Sequence, residues 1–161
     1  MNEDRFWEMI EAGWQAAGGK TKARQKLAKR KLPEEDAEEL VESLDDVLLE
    51  LTKQLRLLSA ADLLAFDRIL ERKLYDIDRA EIQKQTDGSD DGFLYARGFI
   101  VVVGKGYYDA VNAEPATALM DLECEEMCWL PSQIYEEKFG EMPPSAISRE
   151  SCSNAAGWPE D

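Results

Sequence analysis

An all-α fold, a single-domain multi-helix bundle with one long heptad-patterned helix, is predicted by three features of this 161-residue sequence. Apolar residues recur three and four apart through much of residues 1–140, the spacing of one helix face. Caps and breakers such as Asn2, Gly18-Gly19, Pro33, Ser59 and Gly104 stand at the ends of those runs. One run alone, Ile100-Val101-Val102-Val103, is β-branched enough to read as a strand, and no second strand is available to satisfy its backbone groups.

In chain order, Asn2 caps a first helix with acid in its first turn, Glu3-Asp4, and Phe6, Trp7, Ile10 and Trp14 on one side. Gly18-Gly19 ends it. Lys20–Lys31 holds seven bases and no acid, and Glu34–Glu50 then holds nine acids and no base. Pro33 starts the long helix, in which Ala37, Val41, Leu44, Leu48, Leu51, Leu55 and Leu58 form a seam three heptads long. That seam either packs inside its own domain, forms a homodimer with a second copy, or takes a partner helix.

Ser59, with Asp62 three residues on, begins another helix with Leu63, Phe66, Leu70, Leu74 and Ile77 inward. The pattern fades by Lys84, and T-D-G-S-D-D-G supplies turn residues. Phe93, Ala96, Ile100 and Val103 repeat at helical spacing after an aspartate cap, so the apolar run Phe99–Val103 is assigned to a helix ended by Gly104. A helix containing Tyr107, Tyr108 and Val111 closes at Asn112–Pro115, and Asp121–Lys138 makes a further one that Pro131 kinks or splits. Residues 141–161 are rich in Pro, Ser and Asn without apolar spacing and read as a poorly ordered tail, with Trp158 tucking back onto the helical domain 1–140.

Composition excludes several functions. The chain has no histidine, which removes Ser-His-Asp and Cys-His catalysis and histidine-ligated zinc. A net charge of −15 repels nucleic-acid phosphate and anionic membrane. Cys124, Cys128 and Cys152 are too few and too unevenly placed for a disulfide scaffold, the N-terminus lacks a signal-peptide pattern, and no run is long enough to span a bilayer. A cytoplasmic location is expected. No catalytic set or cofactor motif is found.

Within Ser89–Gly106 the charged and aromatic residues Asp90, Asp91, Tyr95 and Arg97, joined by Tyr107 and Glu126, are the candidate ligand- or partner-binding residues. Arg97 either grips an anion in a fork beside Tyr95 and Tyr107 or is buried against Asp90 or Asp91, with Glu123 or Glu126 as substitutes. Asp90, Asp91, Glu123, Glu125 and Glu126 supply the oxygens of a hard-cation site if folding gathers them. Their spacing does not force that, and Cys124 with Cys128 reads as core, so no metal site is assigned.

Several pieces carry a resemblance: F-W at Phe6-Trp7, L-L-A-F-D-R at Leu63–Arg68, S-D-D-G-F-x-Y-x-R-G at Ser89–Gly98, G-K-G-Y-Y at Gly104–Tyr108, N-A-E-P at Asn112–Pro115 and E-C-E-E-M at Glu123–Met127. In this order the chain resembles the bacterial family called domain of unknown function 4240, from about Asp4 to Gly140. The resemblance implies a small, mostly helical bacterial cytosolic domain, sometimes beside a tryptophan-glycine-arginine type domain in regulatory proteins, and no settled activity. It also implies that the ending G-W-P-E-D continues into a longer family tail. The chain is therefore expected to be a non-enzymatic, acidic interaction or regulatory module that binds another, basic protein, as toxin-neutralising proteins do. The alternative is a metal-assisted hydrolase or small anionic-ligand binder using Asp90, Asp91 and Arg97.

Overall fold

The structure is a computed structural model that describes residues 1–86 and 88–159, the side chain of Glu34 excepted. Glu160 and Asp161, and with them the end of the G-W-P-E-D sequence, lie outside the described residues, as does Asp87 of the turn-rich stretch. The described residues form helices and no strand: α1 (Glu3–Ala16), α2 (Thr21–Ala28), α3 (Glu34–Arg56), α4 (Ala60–Asp76), α5 (Ala80–Gln83), α6 (Asp90–Val103), α7 (Lys105–Ala113) and α8 (Glu125–Phe139), with single 3₁₀ turns at Pro115–Thr117 and Ala155–Gly157. None of these helices is long and apolar enough to cross a membrane.

The ends of the first helices follow local chemistry. The Asn2 side chain accepts the Arg5 N–H at 2.9 Å, satisfying an orphan donor of the first turn of α1. Gly18 and Gly19 take positive φ angles of 100° and 77°, which turns the chain sharply toward α2. At α4, Ser59 Oγ accepts the Asp62 N–H at 3.2 Å.

The heptad seam of α3 is used within the chain. Ala37, Leu44, Leu48, Leu51 and Leu55 are buried against α1, α2 and α8, so the seam is not a free face for a second copy. Val41 departs from the expected seam and is 39% exposed, while Leu40 and Val47 are fully buried instead. The physical reason is breadth: a helix packed against several neighbours buries a stripe centred on Leu40, Leu44, Leu51 and Leu55, and Val41 lies at its edge.

At the centre is α6. Every residue from Gly92 to Val103 is buried except half-buried Tyr95, which is why its β-branched run tolerates helix: packing on all sides outweighs a few tenths of a kcal/mol of propensity per residue. Its cap is Ser89, whose Oγ accepts the Gly92 N–H at 3.1 Å, so the aspartate cap expected from the sequence is corrected to a serine with Asp90 and Asp91 in the first turn. α7 begins at Lys105, ahead of Tyr107. α8 begins four residues later than the sequence pattern placed it, because Asp121 has φ +61° and cannot sit in a right-handed helix. Pro131 lies inside α8, which runs through it unsplit.

Residues 141–159 have no regular structure beyond their 3₁₀ turn, in keeping with their missing periodicity. They are nevertheless fastened to the helical body, through Arg149 and Trp158 among others. The body itself is drawn together where α6 meets α8. A Cβ added at Gly98 would lie 2.3 Å from the Cys124 carbonyl oxygen and 2.7 Å from Cys128 Sγ. A main-chain oxygen cannot step aside, so Gly98→Ala is expected to cost about 1–3 kcal/mol or more by urea denaturation, as overpacking does. A Gly98→Ala protein as stable as the parent would show that the two helices are not held at this distance.

Candidate functional site

The charged interior residue of α6 is Arg97, and it is fully buried. Its Nη1 donates to the Leu74 carbonyl at 2.8 Å, one of the last-turn carbonyls of α4 that lack a helical partner. Its Nη2 donates to the Arg149 carbonyl at 2.9 Å and to Ser151 Oγ at 3.2 Å, and the guanidinium carbon lies 4.8 Å from the Phe93 ring centre. Burial pulls the Arg97 pKa below the usual arginine value, opposed first by the charge of Asp78.

The expectation of a buried Arg97 therefore holds, but its expected partner does not. Its three acceptors are uncharged oxygens, while Asp90, Asp91, Glu123 and Glu126 are all exposed. The cause is geometric: Arg97 lies about two turns from the helix start and points inward, toward the end of α4 and the C-terminal segment. Asp90 meets it only indirectly, since Ser151 Oγ also donates to the Asp90 carbonyl at 2.7 Å.

The other sequence candidates are scattered. Tyr95 is half-buried, and burial, then Glu125 and Asp91, push its hydroxyl pKa up. Tyr107 is buried, edge-on to Phe99 with ring centres 6.2 Å apart, and burial raises its pKa too. Glu126 stands in the exposed first turn of α8. Among the described residues no three carboxylates or thiols are grouped to hold a metal ion. Burial pushes the Cys124 and Cys128 thiols up to about 12, which leaves them protonated and unreactive near neutral pH.

A second buried cluster was not recognised from the sequence. Asp67 and Glu71, one turn apart on α4, are both buried, and Arg149 reaches them from the C-terminal segment. Arg149 Nη2 is 2.6 Å from Asp67 Oδ1 and 3.4 Å from Glu71 Oε1, and its Nη1 donates to the Cys128 carbonyl. Arg68 Nη1 holds the other Glu71 oxygen at 3.0 Å, and the Arg149 guanidinium lies 5.4 Å from the Trp129 ring centre. A cavity of about 230 Å³ opens beside this group, lined by Trp129, Ser132, Pro143 and Ser148 among others.

Environment splits the two carboxylates. Burial pushes the Asp67 pKa up, against the pull of Arg149 and with the Glu71 charge adding to the push. Burial also opposes ionisation of Glu71, but Ser145, Arg149, Arg68 and the Ala146 N–H together hold its pKa below the usual value. The signal that would have revealed the cluster was present: Asp67 and Glu71 fall on the same apolar face as Leu63, Phe66, Leu70 and Leu74. Two acids on a core face require a buried cation, yet the cation came from a segment with no periodicity at all.

On the opposite kind of surface, α3 exposes Glu35, Asp36, Glu38, Glu42, Asp45 and Asp46, with Val41 among them and Leu49 one turn past Asp46, at 39% and 54% exposure. Among the described residues none of these six carboxylates is in an ion pair. Of the basic block, Lys20 alone among the described residues is in an ion pair with α3, at Glu39.

A helical bundle with a buried charged core and an acidic flank is the class of protein that fold and site define. The chain belongs to the family described as protein of unknown function (DUF4240), whose family model matches residues 41–137. That span contains Asp67, Glu71, Asp78 and Arg97, and Arg149 lies beyond it. No curated protein and no solved structure matches the chain.

Two outcomes test the cluster. Arg97→Met leaves the buried Leu74 and Arg149 carbonyls without their donor, and each orphaned acceptor costs about 1–3 kcal/mol, so urea denaturation should show a clear loss; unchanged stability would place Arg97 outside the structural core. The pH dependences of the carboxylates should run in opposite directions. Asp67, raised above its ordinary 3.8, contributes stability that is present below that value and lost as pH rises through its folded pKa. Glu71, lowered from 4.5, contributes stability that is complete above that value and lost as pH falls through its folded pKa. Relative to wild type, the Tm of Asp67→Asn should improve as pH rises above about 4, while that of Glu71→Gln should worsen as pH rises toward about 4.5. Parallel slopes would contradict the split.

Proposed function

We propose that the chain is a non-enzymatic interaction module of a bacterial cytosol that presents the acidic flank of α3 to a basic protein, in the manner of regulatory or toxin-neutralising proteins. The observation that carries this reading is the set of six exposed carboxylates on α3, in no ion pair among the described residues, with exposed Val41 among them and exposed Leu49 one turn on. Such a surface attracts a basic partner over about a Debye length, roughly 10 Å at 0.1 M salt, and offers apolar side chains to cover once the partner arrives. Of the basic block, Lys20 pairs with Glu39 of α3 and Arg24 with Glu11 of α1, and among the described residues neither is in an ion pair with the six carboxylates. The overall charge of −15 adds to the attraction and works against phosphate backbones as partners.

The test compares the parent with a Glu38→Gln, Glu42→Gln, Asp45→Asn, Asp46→Asn variant, whose surface substitutions should each change stability by less than about 0.5 kcal/mol. A basic protein retained by the parent at low salt should be released at high salt and bind the variant at least about tenfold more weakly. Equal binding to both, or binding indifferent to salt, would move the interface away from α3.

A further inference from the structure

Most of the described apolar core lies ahead of the C-terminal segment, which adds the partly buried Trp158 against it. All the core's buried hydrophobic side chains lie between Phe6 and Ile134, and Pro143 and Arg149 are the buried residues within 141–159. What the segment chiefly covers is charge. Asp67, Glu71, Asp78 and Arg97 are each buried in the body, and each is satisfied at least in part by residues 145–158.

Asp78, just past the end of α4, reads the segment's main chain. Its Oδ1 accepts the Cys152 N–H at 3.1 Å and its Oδ2 accepts the Ser153 and Asn154 N–H groups at 2.8 and 2.9 Å. Trp158 Nε1–H completes the shell at 3.0 Å from Oδ1, with its ring edge-on to Phe93. Arg97 reads the opposite polarity, the Arg149 carbonyl, and Asn154 Nδ2 returns a bond to the Tyr75 carbonyl at 3.1 Å. One side chain is selected in addition: Arg149, held by a carboxylate pair over an indole ring. A guanidinium suits that site because its flat fork meets carboxylate and carbonyl oxygens while its face stacks on an aromatic. Main-chain recognition by fixed charges plus one side-chain pocket is the division of labour of a peptide receptor.

We propose that the groove formed by α4, α6 and α8 is a receptor for an arginine-centred peptide, filled in this chain by its own residues 145–158, so that the segment is an intramolecular ligand that a peptide of the same pattern from another chain can replace. Release uncovers mainly charged groups that water can solvate, along with the Phe93 ring edge that Trp158 covers, and the solvation of that charge is what makes exchange without unfolding physically accessible.

The experiment uses the full chain with a specific protease site inserted between the exposed residues Glu141 and Met142. After cutting, the C-terminal fragment should stay with the body on gel filtration, and an excess of labelled synthetic peptide 142–159 should displace it while the body stays folded. The same peptide carrying Arg149→Ala should compete at least about 30-fold more weakly, the usual scale for losing a buried charged contact. A body that unfolds when the fragment leaves, a fragment that never exchanges, or equal competition by both peptides would each overturn the proposal. Amide hydrogen exchange on the uncut chain gives an independent readout: the Cys152, Ser153 and Asn154 N–H groups should exchange through an opening that leaves α6 protected. Exchange of both only through global unfolding would make the segment a fixed part of the fold.

Discussion

The burial of α6 on every side is the constraint from which the rest of the structure takes its form. Beyond its first turn α6 gives a charged side chain almost no way to water, so Arg97 must find oxygens inside the protein, and it finds them on the end of α4 and on the C-terminal segment. The same crowding leaves no room for a side chain at Gly98, where the Cys124 carbonyl occupies the space a Cβ would need. The motif that stands out in the sequence, D-D-G-F-x-Y-x-R-G, is thus accounted for by packing: a first turn that favours acid, an arginine that ties three segments together, and a glycine that lets α8 approach.

Charge is divided into two populations with different physics. The buried groups Asp67, Glu71, Asp78, Arg97 and Arg149 are desolvated, so Asp67 is held by Arg149 and the other four each by several hydrogen bonds, and removal of one partner strands the others. The carboxylates along α3 stay in water, contribute little to stability, and keep their charge available for an encounter with another molecule. Function read from the first population concerns how the C-terminal segment is held, and function read from the second concerns what the outer surface attracts. The two lie on different elements and respond to different substitutions.

Helices were legible in the sequence because they depend on neighbours three and four residues away: Asn2 and Ser59 as caps, Gly18-Gly19 as a stop, and the stripe of Leu63, Phe66, Leu70 and Leu74 all signal locally. The burial of Arg97 was legible for the same reason, since it sits among apolar residues on its own helix. The acidity of α3 was legible as composition, with no folding required.

The partners of the buried charges were decided by tertiary structure alone. Arg149 reaches Asp67 across 82 positions of chain, and the three amides on Asp78 come from residues 74 to 76 positions away. No periodicity carries such pairings: Arg149 lies in a segment without periodicity, and hydrogen bonds from main-chain N–H groups to Asp78 are indifferent to the side chain of the residue that supplies them. Sequence by itself determined the main helices and most of their apolar faces; only the folded chain determined which oxygen each buried cation would meet, because that depends on where irregular backbone comes to rest.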